Sequence, residues 1–516
     1  MKNKVLNYLP QLLIITLISV ISYFSLFHKL GLENINNDQL RWQTRSESFF
    51  INFEQGNYKE TYQQYHPGVM LMYLIKLGYS SYSLFNGNFN TWTDLRGDRF
   101  IILNQHLKFW YQFSNLFLIL ISLFCVKKLF GFKTAFIFGI FIFSEIYFLG
   151  ILRNLHLDGP NALVIFATIS MYFIYLESKK AKYLILTGLL SGLGILFKSM
   201  TVFSFLFIGL VSLIEIIKTP KNIIKISLPV IYIFLISLIM FSSLFPAMWT
   251  DPLGTSQKVF IEGLMGVGLS GDDNFQHHIN GVDIGDPGPY YYLNILKFRL
   301  SNGFYLALGL IIIFFIYSVF KKIKTENANS KFVVYYFIAS LIFLGIITYS
   351  SKKTDRYISA FLPLIFIVVA YLLNKYVSFL KNNLFYFLVS IILIVNLYFN
   401  ILYHPYYFGY YNPLLGGINK AKNILYINQG GIAYFEVINF LKTQNLSNND
   451  KIGIYNKDEF IPAFETKIYG LGPLDYKVKT YRIPTIARGK EFTKNSTKIF
   501  KVYVGNEPFW EIYKAK

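Results

Sequence analysis

Charge and cysteine are both scarce in this chain. Only 15% of its 516 residues are charged, against 54% hydrophobic, which excludes an ordinary soluble enzyme of this size and fits a polytopic membrane protein. The one cysteine, Cys125, excludes an intrachain disulfide. No internal repeat or low-complexity tract is found, and no cleavable signal. The first apolar run has a basic flank but is too long for a signal's hydrophobic region and lacks a clear small-residue cleavage site, so it reads as an uncleaved anchor. Acids are few, 28 against 49 Lys and Arg, for a formal net charge of +21. That balance suggests a nucleic-acid partner until the lysines are placed. They sit at the edges of apolar runs, where anionic headgroups account for them, so no nucleic acid is expected.

What the chain has in abundance is hydrophobic runs. They fall at roughly 8–27, 108–126, 132–152, 160–176, 183–197, 200–217, 223–245, 303–320, 332–349, 357–374 and 384–403, each near the ~20 residues a helix needs to cross a bilayer. Lysines mark the same side of alternate runs: Lys127, Lys128 and Lys133; Lys179, Lys180 and Lys182; Lys218, Lys221 and Lys225; Lys321, Lys322, Lys324 and Lys331; Lys375 and Lys381. Cytoplasmic loops retain such residues. The pattern therefore predicts about eleven transmembrane helices in a cell inner or plasma membrane. The N-terminus (Lys2, Lys4) is then cytoplasmic and the C-terminus extracytoplasmic. Loops 28–107 and 246–302 and the tail 404–516 share the outer face, so any chemistry there needs a donor available outside the cell, where nucleotide sugars and ATP are scarce.

Three local features refine this. His66–Phe85 is apolar but carries Lys76, and reads as a helix in the outer interface with Pro67 in its first turn. Runs 183–197 and 200–217, parted only by Lys198 and Ser199, predict a tight re-entrant pair or hairpin with Lys198 at the outer rim. Beyond about residue 420 the composition turns polar. Strand-like segments at Lys451–Tyr455, Tyr476–Tyr481 and Lys498–Val504 and a helix-like stretch at Ile432–Leu441 predict a small extracytoplasmic α/β domain. The expected division is a membrane domain over 1–405 and this module over 406–516.

The reactive residues gather on the outer side. In Asn36–Arg45, helical spacing puts Asp38, Arg41, Trp42 and Arg45 on one face. A carboxylate beside guanidinium groups stays ionised and can accept a proton from an attacking hydroxyl, although a helix cap with a solvated ion pair would look the same. Asp158, in Arg153-Asn154-Leu155-His156-Leu157-Asp158-Gly159-Pro160, is a second acid for the cavity or an N-cap for the fourth run. Lys198 and Arg356 break the positive-inside pattern, and an anionic lipid phosphate is a reason for cations there; snorkelling to headgroups is the other. Glu145, in the outer half of the third run, is ionisable at membrane depth and so a functional candidate. Asp272, Asp273, His277 and His278 have ligand chemistry for a divalent metal but no regular spacing to fix it, so metal dependence stays open. The surrounding loop reads better as one that orders over bound substrate. The sequons at Asn445 and Asn495 are expected by chance in so Asn-rich a chain.

Taken in order, several motifs resemble the GT-C glycosyltransferases, in particular the branch of protein O-mannosyltransferases and lipid A aminoarabinose transferases (glycosyltransferase family 39-like). They are Asp38 after the first run, Tyr65-His66-Pro67-Gly68, Arg153 to Asp158, Ser191 to Lys198, Asp355-Arg356-Tyr357 leading to Pro363, and Tyr410-Tyr411-Asn412-Pro413-Leu414-Leu415-Gly416-Gly417. The resemblance covers about the first 440 residues. It implies an inverting transfer of a sugar from a polyprenyl-phosphate carrier to a protein, lipid or glycan hydroxyl outside the cytoplasm. Asp38 is then the base and Asp158 a second acid. Lys198, Arg356 and Arg153 meet the donor phosphate, and His66, Arg41, Glu145, His278 and Tyr357 line the substrate cavity. Two positions depart from the family: Gln39 follows Asp38 where protein mannosyltransferases carry Glu, and Asn428-Gln429-Gly430-Gly431 stands where some relatives carry Gly-Trp-Gly-Glu. The competing readings are a transporter or lipid-linked sugar flippase, which should show repeated halves and midplane polar sites, and an inactive scaffold presenting the tail to a partner.

Overall fold

The computed structural model describes residues 16, 19–263, 265, 276–280, 282–322, 329–427, 431–444, 450–454, 460–464, 468–469, 475–480 and 495–516. Of the first apolar run, residues 16 and 19–27 are described, helical at 16 and from 19 to 26; Lys2 and Lys4 lie outside the described residues. Eight helices among those described are long and apolar enough to span a membrane. They are bundled so that polar loops at one end carry nearly all the residues singled out above.

That end is built on two helices after the first run, α1 (Asn37–Glu54) and α2 (Val69–Asn86). Asn36 caps α1 by accepting the Gln39 N–H, which frees Asp38 in the first turn for other partners. Pro67 does not begin α2: Gly68 intervenes as the N-cap at φ 60°, a left-handed conformation that costs glycine little. A Cβ there would lie 2.2 Å from the Trp42 ring, and the Gly68 N–H reaches the Phe197 carbonyl at 3.2 Å. Gly68→Ala should therefore displace Trp42 and lower thermal stability by about 1–3 kcal/mol, read as a drop in unfolding temperature in detergent; an unchanged temperature would disprove the packing argument.

The next helix, α3 (Asp98–Ser144), is two segments joined at Gly131, whose backbone is non-helical (φ 82°, ψ 175°). The predicted run 132–152 is not one helix. It breaks at Glu145, and α4 (Ile146–Arg153) follows. Then come α5 (Asp158–Ser178), α6 (Ala181–Phe197), α7 (Val202–Lys218) and α8 (Ile223–Leu244). α6 and α7 do not form the expected close-packed hairpin, because α6 lies chiefly against α5 and α8. The cause is Gly188 and Gly192 on α6: added Cβ atoms would fall 2.7 Å from Ile236 and 2.6 Å from Met240 of α8, the close approach that small residues spaced by four permit between membrane helices.

After a short antiparallel hairpin, β1 (His277–Ile279) with β2 (Val282–Ile284), the remaining helices are α9 (Tyr291–Arg299), α10 (Asn302–Phe320), α11 (Ser330–Tyr349), α12 (Phe361–Val377) and α13 (Asn382–Tyr403). The tail places α14 (Tyr434–Lys442) beside a mixed five-stranded sheet of β3 (Ile452–Ile454), β4 (Ile468–Tyr469), β5 (Tyr476–Thr480), β6 (Ser496–Val504) and β7 (Glu507–Ala515), in spatial order β4-β3-β5-β7-β6. β7, not anticipated from sequence, lies between β5 and β6 and carries the buried Phe509, Trp510 and Ile512. The module is fastened to the site end of the bundle. The Ala433 N–H donates to the Glu33 carbonyl at 2.8 Å, the Tyr434 hydroxyl to that of Gly31 at 2.7 Å, and Lys442 pairs with Asp98 at 2.7 Å.

Candidate functional site

Four helix ends meet at one point. The start of α1 brings Asp38, the start of α5 Asp158, the α6–α7 corner Lys198, and the turn before α12 Arg356. Arg356 Nη2 donates to Asp38 Oδ2 at 2.6 Å, and its Nε lies 3.3 Å from Asp158 Oδ2. Lys198 Nζ donates to Asp158 Oδ1 at 2.6 Å and sits over the Tyr357 ring, 4.8 Å from its centre. His156 stands between the acids, Nδ1 2.8 Å from Asp158 and Nε2 3.4 Å from Asp38. Carboxylates and cations thus alternate around the cluster.

The cluster forms the floor of a cavity of about 300 Å³. Arg41, Arg45 and Trp42 of α1 form one wall, Gln64, Tyr65 and His66 a second, and Lys352, Thr354, Tyr357 and Tyr426 the rest. Arg41 comes within 3.8 Å of Asp38, and Arg45 stacks on Trp42 at 4.7 Å. His66 shares a hydrogen bond with Ser199 at 3.0 Å; with the Gly68–Phe197 bond, this docks the second wall onto the corner that carries Lys198. Beside it, at His66 and Ser199, begins an apolar groove of about 170 Å³, lined by Met200, Phe203 and Leu206 of the α7 region, Phe260, and Phe343 and Ile346 of α11.

Burial would raise the Asp38 carboxyl, but the Arg356 guanidinium and His156 overcome it and hold the group far below the usual carboxylate range. Burial, with Lys198 nearby, pushes His66 well below the ordinary imidazole value, so it is neutral. Asp38 is 29% exposed and faces the cavity, whereas Asp158 and Lys198 are 3% and 2% exposed at their side chains. Lys198 is therefore not a rim residue snorkelling to headgroups. Nor does Asp158 cap α5: it is the first helical residue, Leu157 is the cap position, and its carboxylate serves Lys198.

Two other expectations fail on placement. Arg153 is buried away from the cavity, donating to the carbonyls of Ser25 and His28 at 3.0 and 3.1 Å and pairing with Glu33 at 3.5 Å; as the last residue of α4 it is turned toward the first run. Glu145 is fully buried and accepts the Ser301 N–H at 3.0 Å and its hydroxyl, bracing the cap of α10. His278 has its backbone in β1, and its side chain lies outside the described residues, as do Asp272, Asp273, Asn445 and Asn428–Gly430. Among the described residues, no group of three or more His, Cys, Asp or Glu side chains is placed to hold a metal. Gln39 is also buried, donating to Asn104 at 2.6 Å, so the residue after Asp38 faces the core rather than the cavity.

Sequence reasoning did not select His156, Lys352, Tyr65 or Tyr426 for the site. His156 lay inside a quoted motif, and its spacing of two from Asp158 was the available signal. Tyr426 belongs to the tail, and no local pattern marks it. The Asn412-Pro413 motif has a structural task instead: Asn412 donates to the α9–α10 junction, its N–H to Phe298 O at 2.7 Å and its amide to Leu300 O at 3.0 Å.

Residues 109–246 match the family model described as dolichyl-phosphate-mannose-protein mannosyltransferase. No curated protein matches the chain. Among solved structures, it is similar to ArnT from Cupriavidus metallidurans bound to undecaprenyl phosphate, with TM-score 0.52 and 12% identity over 97% of both chains. The fold is GT-C. An oligosaccharyltransferase from Archaeoglobus fulgidus also matches, at TM-score 0.48 and 13% identity over 89% of this chain and 64% of that one. The family match ends just after α8, so it takes in Asp158 and Lys198 but neither Asp38 nor Arg356.

Proposed function

We propose that this GT-C protein transfers a sugar from a polyprenyl-phosphate donor to an acceptor hydroxyl at the membrane surface, on the extracytoplasmic side that the lysine pattern selects. The observation that carries it is a cavity with more cations than carboxylates, opening beside an apolar groove between two membrane helices. The cations suit a phosphate; the groove suits an isoprenoid chain that reaches the cavity sideways from lipid. The GT-C fold supports the same reading, since the ArnT structure that shares it holds undecaprenyl phosphate.

In this mechanism the acceptor oxygen attacks the anomeric carbon from the face opposite the phosphate, forming the new glycosidic bond with inversion. The anomeric C–O bond to phosphate breaks, and its electron pair leaves with the carrier. Lys198 and Arg356 balance the growing phosphate charge. The acceptor proton passes to Asp38, the carboxylate that faces the cavity. Asp158, enclosed by Lys198, His156 and Arg356, positions the lysine and the arginine and is not itself the base. A flippase is less well supported, because the charged groups stand at one end of the bundle rather than at its middle.

The test is turnover of purified protein with a panel of radiolabelled polyprenyl-phosphate sugars, read as release of free polyprenyl phosphate. Turnover with a nucleotide sugar and with none of the panel would refute the donor class. The pH profile adds a second check. While Arg356 holds Asp38, the base stays ionised well below pH 4. Once Arg356 turns to the donor phosphate, the Asp38 pKa climbs back toward its ordinary ~4. Activity lost as pH falls should thus show its acid limb at higher pH in kcat than in kcat/KM. Coincident limbs would argue against Asp38 as the base.

A further inference from the structure

We infer that the end of the bundle opposite the candidate site holds a separate binding site for an anionic phospholipid of that leaflet. α5 runs from Asp158 in the site to Ser178, 21 residues and so about 30 Å away. There the ends of α5, α7, α8 and α11 enclose a second cavity of about 430 Å³, larger than the first. Three lysines line it, each from a different element: Lys179 closing α5, Lys225 in the first turn of α8 and Lys331 in the first turn of α11.

Charge argues for an anion. The single carboxylate in the lining, Glu215, is already engaged, accepting from the Tyr335 hydroxyl at 3.1 Å and pairing with the exposed Lys218 at 3.6 Å. None of the three lysines has a carboxylate partner among the described residues. Lys179 takes a left-handed backbone, φ 55°, where helices ordinarily place glycine, so a lysine there carries a conformational cost.

Shape and surroundings argue for a lipid rather than a free anion. The wall also contains Leu176, Ile226, Pro229 and Phe332, and Ile223 and Ile224 at the start of α8 are 52% and 76% exposed toward the bilayer, where acyl chains would lie. Pro229 lies inside α8 and has no N–H to give the Lys225 carbonyl, so that oxygen is available to a headgroup hydroxyl. Basic pockets between helix ends recognise anionic headgroups in this way, each lysine near the surface strengthening the attraction about fivefold.

The test uses the full chain in detergent, titrated with phosphatidylglycerol, phosphatidylcholine or inorganic phosphate, with bound lipid counted by native mass spectrometry. Wild-type protein should retain phosphatidylglycerol in preference to phosphatidylcholine. Lys225→Gln with Lys331→Gln should weaken that retention roughly 25-fold, while Lys225→Arg with Lys331→Arg keeps it and Lys127→Gln with Lys128→Gln leaves it unchanged. Equal retention of both lipids, loss of preference in the Lys127/Lys128 control, persistence in the Lys225/Lys331 glutamine variant, or displacement by millimolar inorganic phosphate would each overturn the proposal. Sugar transfer by the glutamine variant in phosphatidylcholine should match wild type, which separates this site from the proposed catalytic one.

Discussion

Asp38→Asn should abolish most sugar transfer, lowering kcat by about 10²–10⁴-fold, without unfolding the protein or weakening donor binding. Asparagine has the same shape and can still accept from Arg356, and Arg356 keeps Asp158 at 3.3 Å. The side chain is part-exposed, so removing its charge leaves no buried ion unpaired. Asp38 also competes with the donor phosphate for Arg356, so the neutral variant should bind donor at least as tightly as wild type. The signature is a collapse of kcat with an unchanged or lowered Kd for a non-transferable donor analogue. A variant that transfers sugar normally, or that loses donor affinity in step with rate, would remove Asp38 from the role of base.

The largest loss of stability is expected behind the site rather than in it. Arg299 and Asp355 form an ion pair with both side chains fully buried. Asp355 also accepts the Arg356 N–H at 2.8 Å, so the pair holds the backbone from which Arg356 reaches the cavity. Its two halves are not equally provided for. Arg299 donates to the carbonyls of Phe408 and Tyr410 at 2.9 and 2.7 Å and lies 3.9 Å from the Tyr411 ring centre. Asp355 without Arg299 would retain little beyond that one N–H. Arg299→Met should therefore cost about 3–5 kcal/mol, enough to prevent accumulation of folded protein, and Asp355→Asn distinctly less. Adding Asp355→Leu to Arg299→Met should recover part of the loss, since two apolar groups no longer leave a buried charge. Thermal unfolding in detergent, with expression yield, reads all three. Equal losses for both single variants, or no recovery in the double, would contradict this account.

How far the sequence reached depended on whether the signal was local. Hydrophobic runs and lysine positions repeat along the chain, so most helices were legible within a few residues. Where the reading slipped, a single residue decided: Glu145 breaks what looks like continuous apolar sequence, and Gly68 displaces Pro67 from the start of α2. The buried charges were harder. Lys108 sits at the edge of an apolar run that gives no hint of Glu33, 2.9 Å away and 75 positions earlier. Arg153 looks like a phosphate ligand by its position in a motif, and its actual partners are carbonyls 125 and 128 residues distant.

The sequence alone determined that this is a helical membrane protein and which residue types lie at each end of its helices, because hydropathy and charge act on each segment separately. The tertiary structure decided which of those residues form a site. Asp38 and Arg356 are 318 positions apart and meet only because the start of α1 and the turn before α12 are brought to the same cavity. Lys198 becomes a buried partner of Asp158, rather than a headgroup contact, because the small face of α6 lets α8 approach and the Tyr65–Gly68 segment closes over the corner. Contacts of that range depend on packing geometry, which no periodicity in one segment encodes.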